Sequence, residues 1–334
     1  MKYVIIISVL LMSCNACKNN ENHKDYNADR KKNIQNLNVP SFDSEMAYNY
    51  IQKQVDFGPR VPNTQSHQNC AVFLEKELKK YATKVIIQNA EMKAYDGKTL
   101  HGKNIIAQFN PEKKRRILLC AHWDTRHIAD QDEKDIDKPI LGADDGGSGV
   151  GVLLEIARIL NKKPTNIGVD ILLFDIEDYG QPENSGFERM ENSYCLGSQY
   201  WAKNLHVENY KPMYGILLDM VGGKNAEFKQ EQISVQFANE AVQKIWQTAA
   251  DINQEKYFVN NTLDAITDDH YYVNTLASIP CIDIINAPSN SNKTFPLHWH
   301  THNDNMNAID KNTLKAVGQT IVTVLYMEND GLFL

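Results

Sequence analysis

The sequence predicts an α/β fold, a single domain with a central mixed, largely parallel twisted sheet flanked by helices. Two observations carry that expectation. Short apolar runs of strand length alternate with longer stretches of helical periodicity, the pattern that builds a mostly parallel sheet. Acidic or imidazole residues follow the ends of several of these runs, where the loops of an α/β sheet converge on one crevice. With 334 residues, 42% of them hydrophobic, the chain can bury a large core in one domain.

Taken in order, the first residues lie outside the predicted fold. Lys2 is a minimal basic start, and Tyr3 to Met12 is apolar but too short to span a bilayer. Leu11-Met12-Ser13-Cys14 resembles a bacterial lipobox, a small residue before a cysteine that becomes lipid-modified. Residues 1–14 are therefore expected to be a lipoprotein signal peptide, in preference to a simple secretory signal cut near Ala16. The expected destination is the periplasm or cell envelope, with membrane contact only through a lipid on Cys14. Residues 15–38, rich in Asn, Lys and Asp, have the composition of a disordered tether. The folded domain is expected to span 39–334, and to be monomeric.

Within it, Ser41 to Tyr81 reads as two helical pieces. Phe57-Gly58-Pro59-Arg60-Val61-Pro62 separates them, because its prolines demand extended or turn backbone. The second piece, Ser66 to Tyr81, sets Ala71, Leu74 and Leu78 at helical spacing. Strands are expected at Lys84 to Gln88, Asn104 to Gln108, Arg116 to Ala121, Val169 to Phe174, Tyr214 to Leu218 and Pro280 to Ile285. Helices are expected at Gly149 to Leu160, Ser198 to Asn204, Ala238 to Asp251, Asp268 to Asn274 and Lys311 to Glu328. There is no internal repeat.

A net charge of −7 argues against nucleic acid as a partner, since phosphate binding needs a concentrated basic surface. Lys113-Lys114-Arg115-Arg116 is read as a solvated strand entry. Cys120 and Cys281 fall inside strand-like runs and are expected to be buried, and a disulfide is not readable. The acidic stretch Asp130 to Asp137 lacks the glycine of a calcium loop and is read as solvated surface.

The chemistry-bearing residues are His122, Asp145, Glu177, Asp178, Asp219 and His300. In His122-Trp123-Asp124 the outer residues share one side of an extended chain, so Asp124 is expected to orient the imidazole. Gly142-Ala143-Asp144-Asp145-Gly146-Gly147-Ser148-Gly149 has the look of a phosphate cradle. Two carboxylates would repel phosphate, however, and no Gly-Lys-Ser/Thr follows, so a metal carboxylate fits better. Glu177 and Asp178 diverge as neighbours, which lets one bind metal while the other works as a base. Of His298, His300 and His302, one is expected to face the crevice. Such oxygen and nitrogen ligands suit zinc.

The order His-x-Asp, Gly-Ala-x-Asp, Glu-Asp, Leu-Leu-Asp, Asp-Asp-His, Trp-His-Thr resembles the zinc aminopeptidase superfamily and, within it, the animal-type (type II) glutaminyl-peptide cyclotransferases. The resemblance runs from Phe57 to the C-terminal helix. It implies one catalytic zinc on Asp145, Asp178 and His300, with Glu177 as general acid/base. It further implies Asp219 and Asp268 in a proton network, Trp299 as the aromatic wall of the substrate pocket, and Tyr194 as another aromatic contact. The implied activity is zinc-dependent cyclisation of N-terminal glutamine of peptides and proteins to pyroglutamate, with release of ammonia. Three departures stand out. Asp178 occupies a position where the animal enzymes have a second Glu, Val150 replaces the second member of their cysteine pair, and the Tyr179 to Ser193 loop is longer. The runner-up is a two-zinc exported aminopeptidase, with His122, Asp145 and Asp219 as the second site. Against it, such aminopeptidases usually have Ser-Asp-His where this chain has Asp268-Asp269-His270, and another residue in place of Trp299. A third reading, a non-catalytic zinc lipoprotein, gives Glu177 no reason to stand beside a ligand.

Overall fold

Apolar runs buried on both faces form the middle of the sheet, as central parallel strands must. A computed structural model describes residues 30–289 and 293–333, and the chain divides into two units, Met1–Asn38 and Val39–Leu334. The expected signal peptide and lipobox lie outside the described residues. In the first unit, residues 30–36 are helical although composition predicted a disordered tether. Arg30, Lys31, Lys32 and Gln35 are good helix formers, and Leu37 N–H closes the end onto Asn33 O.

The second unit begins with helices α1 (Ser44–Val55) and α2 (Gln65–Lys79), the two pieces expected on either side of the Pro59–Pro62 turn. Asp43 caps α1 by accepting from the Glu45 and Met46 N–H groups at 3.0 and 3.2 Å. Strands β1 (Lys84–Lys93), β2 (Thr99–Phe109) and β3 (Arg116–His122) follow, then α3 (Gly147–Lys162) and β4 (Gly168–Phe174). Next come α4 (Leu196–Lys203), β5 (Tyr214–Asp219), β6 (Phe228–Glu231), α5 (Gln232–Asp251) and β7 (Phe258–Leu263). Helix α6 (Asp269–Thr275), β8 (Cys281–Ile285) and α7 (Lys311–Asn329) complete the chain.

The main sheet runs in the order β1-β2-β4-β3-β5-β8. Its β3, β4, β5 and β8 are parallel, while β1 pairs antiparallel with β2, and β2 antiparallel with β4. Every residue of β3 and β4 is buried. Alternation divides their side chains between two cores. Ile117, Leu119 and Ala121 pack with α1, α3, α5 and α7, whereas Leu118 and Cys120 pack on the α4 and α6 side. At Gly149 a Cβ would lie 2.2 Å from Leu218 O, so only glycine lets α3 approach β5 this closely.

Several expected bounds shift. Strand β1 continues past Gln88 to Lys93 because β2 pairs with it along its whole length, from Lys84↔Gln108 to Lys93↔Thr99. Helix α5 begins at Gln232, and Ala238, the expected start, has non-helical φ/ψ inside it. The small parallel pair β6–β7 was not expected. Among the described residues Cys70, Cys120, Cys195 and Cys281 are free and buried. Arg116, expected in solvent, is buried against Asp170, with Nε 2.6 Å from Oδ2.

Candidate active site

The parallel strands deliver the predicted residues to one end of the sheet. His122 ends β3, Asp145 precedes α3, Glu177 and Asp178 follow β4, Asp219 ends β5, and Asp268 caps α6. Trp299 and His300 enter from the turn before α7. Asp145, Asp178 and His300 offer donor atoms that all lie within 4.8 Å of one another, and so do His122, Asp145 and Asp219. His300 Nε2 is 3.2 Å from Asp178 Oδ1 and 3.8 Å from Asp145 Oδ2. His122 Nε2 is 3.0 Å from Asp145 Oδ1 and 3.2 Å from Asp219 Oδ1.

The first trio fits zinc by its own chemistry. Two carboxylates and one imidazole converge, leaving a coordination position for substrate. Asp178 Oδ2 is buried with no hydrogen-bond partner among the described residues, a costly state for a carboxylate oxygen that a cation would relieve. The left-handed backbone at Ile176 (φ 55°), Met220 (φ 49°) and His300 (φ 54°) clusters around the site, and at β-branched Ile176 it marks stored strain.

The hydrogen bonds that aim these groups come from residues to which the sequence assigned no such role. Asp304 accepts from Asp144 and Asp145 N–H at 2.7 and 3.1 Å, fixing the backbone that presents Asp145. His298 Nε2 lies 2.8 Å from Asp144 Oδ2 and His302 turns to Asp135 O, so only His300 of the three faces the crevice. Arg60, fully buried, donates to Trp123 O, Leu141 O and Gly142 O at 2.9, 2.6 and 2.7 Å and ties the β3 end to the Asp145 loop. Its only sequence signal was its place in the Phe57–Pro62 run. Arg126 donates to Asp178 O and Gly180 O at 3.0 and 3.1 Å and pairs with Asp130 at 2.7 Å. Asp130, expected in a solvated loop, also lies 3.0 Å from His300 Nδ1, which leaves Nε2 for the metal side.

Asp124 does more than its spacing implied. Its oxygens accept from Glu177 and Asp178 N–H at 3.0 and 3.1 Å, while His122 Nδ1 stays 3.5 Å away. It therefore holds the Glu177–Asp178 backbone as well as facing the imidazole.

Burial dominates the electrostatics. It pushes Glu177 well above the usual carboxylate range, and the Asp178, Asp268 and Asp269 charges add to that push against His122. The Cys195 thiol donates to Glu177 Oε1 at 3.2 Å. Burial raises Asp219 to about 8, opposed by the His122 hydrogen bond and reinforced by Asp145 and Asp268. Burial also raises Asp268. Acids with proton affinity raised in this way are the kind that serve in proton transfer. A cavity of about 410 Å³ opens over these groups, walled by Tyr194, Trp299, Phe295, Ile266 and Ile285. Trp299 stacks on His300 with ring centroids 3.8 Å apart.

The model of peptidase family M28 matches residues 104–325, which span the whole metal constellation. The chain belongs to peptidase family M28. Among solved structures, a zinc-dependent exopeptidase from Parabacteroides distasonis is 52% identical, with 86% of this chain and 99% of that one covered, at a TM-score of 0.84. A glutaminyl cyclase from Bacteroides thetaiotaomicron, solved with N-acetylhistamine bound, is 50% identical, with 86% and 99% covered, also at 0.84. The glutaminyl-peptide cyclotransferase of Drosophila melanogaster is 24% identical over 279 residues, 75% of this chain and 72% of that one. An α/β zinc-enzyme fold is thus shared across the family members it resembles.

Proposed function

We propose that this M28 chain cyclises N-terminal glutamine of peptides and proteins to pyroglutamate with release of ammonia, using a single zinc on Asp145, Asp178 and His300. One observation carries the reading. Glu177, half-buried at the cavity and flanked by carboxylates that keep its proton affinity high, stands next to Asp178 of the metal trio. Likeness to glutaminyl cyclases at about half of all positions supports it.

Zinc, when bound, supplies Lewis-acid polarisation of the side-chain amide carbonyl. The protein's own groups do the rest. Trp299 and Tyr194 wall the glutamine side chain and keep water out. Asp219 and Asp268 hold the α-amine and relay protons. Glu177 takes a proton as the amine nitrogen bonds to the side-chain carbonyl carbon, and returns one to the nitrogen that departs as ammonia. The attack is intramolecular, so orienting one flexible side chain against its own amine lowers the barrier substantially.

Mass spectrometry of a Gln-initiated peptide tests this: loss of one ammonia from an otherwise intact peptide is expected. Glu177→Gln should cut turnover by roughly 10²–10⁴-fold while zinc is retained; unchanged turnover would remove Glu177 as the base. The two-zinc aminopeptidase draws on one observation, that Asp145 belongs to both trios. Release of free glutamine and a zinc content of two per chain would establish it instead.

The leader sequence supports export with a lipid anchor on Cys14. Cys14→Ala should move the protein from the membrane fraction to the soluble one.

A further inference from the structure

The loop between β4 and α4 is longer than an ordinary connection, and it is braced throughout. Gln181 is its hub. The side-chain amide donates to Ser185 Oγ and Glu188 O at 2.8 and 3.0 Å and accepts from Met190 N–H at 2.7 Å. Gln181 N–H donates to Ser193 Oγ at 2.9 Å, closing the neck of the loop. Outside the ring, Tyr179 OH donates to Asp96 at 3.1 Å, and Tyr272 OH donates to Asn192 Oδ1 at 3.1 Å.

This framework encloses a groove of about 470 Å³ that the catalytic chemistry does not use. It shares two walls, Tyr194 and Thr267, with the catalytic cavity, so the two spaces adjoin. Pro182, Met190 and Phe187 give it an apolar lining, and Phe187 is 54% exposed. Glu183 and Glu191 also line it, both solvent-exposed and in no ion pair among the described residues. Arg189 lines the groove as well, so its two glutamates leave it one net negative charge.

A peptide that places its N-terminal glutamine in the inner cavity must lead its chain out past the rim. We propose that this groove is a subsite for the second and third residues of the substrate, and that it selects peptides with Lys or Arg there. The inference rests on the cyclase reading. A basic side chain suits both halves of the groove: its alkyl stem covers Met190 and Phe187, and its cation faces Glu183 and Glu191. Because the loop is held by its own hydrogen bonds, little ordering cost accompanies binding.

The experiment compares kcat/KM for Gln-Lys-Ala, Gln-Ala-Lys, Gln-Ala-Ala and Gln-Glu-Ala peptide amides, with the full exported domain and its Glu183→Gln/Glu191→Gln variant. At low salt the lysine peptides should exceed the alanine peptide by about 5-fold, as expected of rim carboxylates. The preference should shrink as the Debye length falls, and it should collapse to near unity in the double variant. Because each ratio is internal to one enzyme preparation, partial misfolding of the variant cancels. Equal rates for all peptides in the wild type, or a preference that survives in the variant, would overturn the subsite. Absence of ammonia release from every peptide would overturn the cyclase reading itself, and the subsite with it.

Discussion

Glu231→Gln should cost about 3 kcal/mol of folding stability, although Glu231 lines no part of the catalytic cavity. The Glu231 carboxylate is fully buried and accepts from Ile233 N at 2.8 Å, Ser234 N at 2.7 Å, Ser234 Oγ at 2.8 Å and Ile266 N at 3.0 Å, with His270 Nε2 at 3.1 Å. Burial opposes its charge, yet the His270 contact and the Ile233 and Ser234 N–H groups outweigh burial and lower its pKa from 4.5 to about 2. At 1.36 kcal/mol per pKa unit, that depression corresponds to about 3 kcal/mol. Removing one partner of a buried pair gives a similar figure, roughly 3–5 kcal/mol. Glutamine keeps one acceptor oxygen but turns an NH2 toward donors. Because the folded pKa is depressed, the stabilisation is present above about pH 4.5 and is lost as pH falls through about 2. Urea unfolding of both proteins at pH 7, with equal zinc loading, measures the difference. A change below about 1 kcal/mol would refute the account. The same substitution loosens Ile266 in the cavity wall, so KM should rise more than kcat falls.

Three further outcomes are expected. Asp304→Asn replaces an acceptor of the Asp144 and Asp145 N–H groups, and should weaken zinc affinity by roughly 10–100-fold in competition with a chromophoric chelator; unchanged affinity would mean that Asp145 needs no such support. Cys195→Ala deletes the thiol donor to Glu177 Oε1 and should lower kcat about 5-fold at constant KM, while Cys195→Ser restores it. Equal activity of all three proteins would make that contact incidental. Gly146→Ala would place a Cβ 2.4 Å from His122 O, so zinc binding should weaken and the melting temperature should fall, in line with an overpacking cost of roughly 1–3 kcal/mol. Wild-type melting and metal content would show that the backbone yields freely.

The strands β3, β4 and β5 were legible in the sequence because burial on both faces leaves an unbroken apolar run, and His122, Glu177, Asp178 and Asp219 because they sit where those runs end. The short strands β6 and β7 were not, since Lys229-Gln230 and Asn260-Asn261 carry no apolar alternation and their pairing joins segments far apart in the chain. Local spacing found only part of the role of Asp124, which faces His122 but also accepts from the Glu177 and Asp178 amides of another loop. Asp304 reaches Asp144 across 160 residues, Arg60 reaches Trp123 O across 63, and Asp130 looks like any acid in a polar loop until His300 packs beside it. By itself, then, the sequence determined the fold class, the ends of the central strands and the metal-ligating residue types, all of which follow from residue chemistry at short range. Only the tertiary structure decided which groups hold the ligands in place, because the direction of a hydrogen bond between distant segments is set by how the elements pack and not by the spacing of residues along the chain.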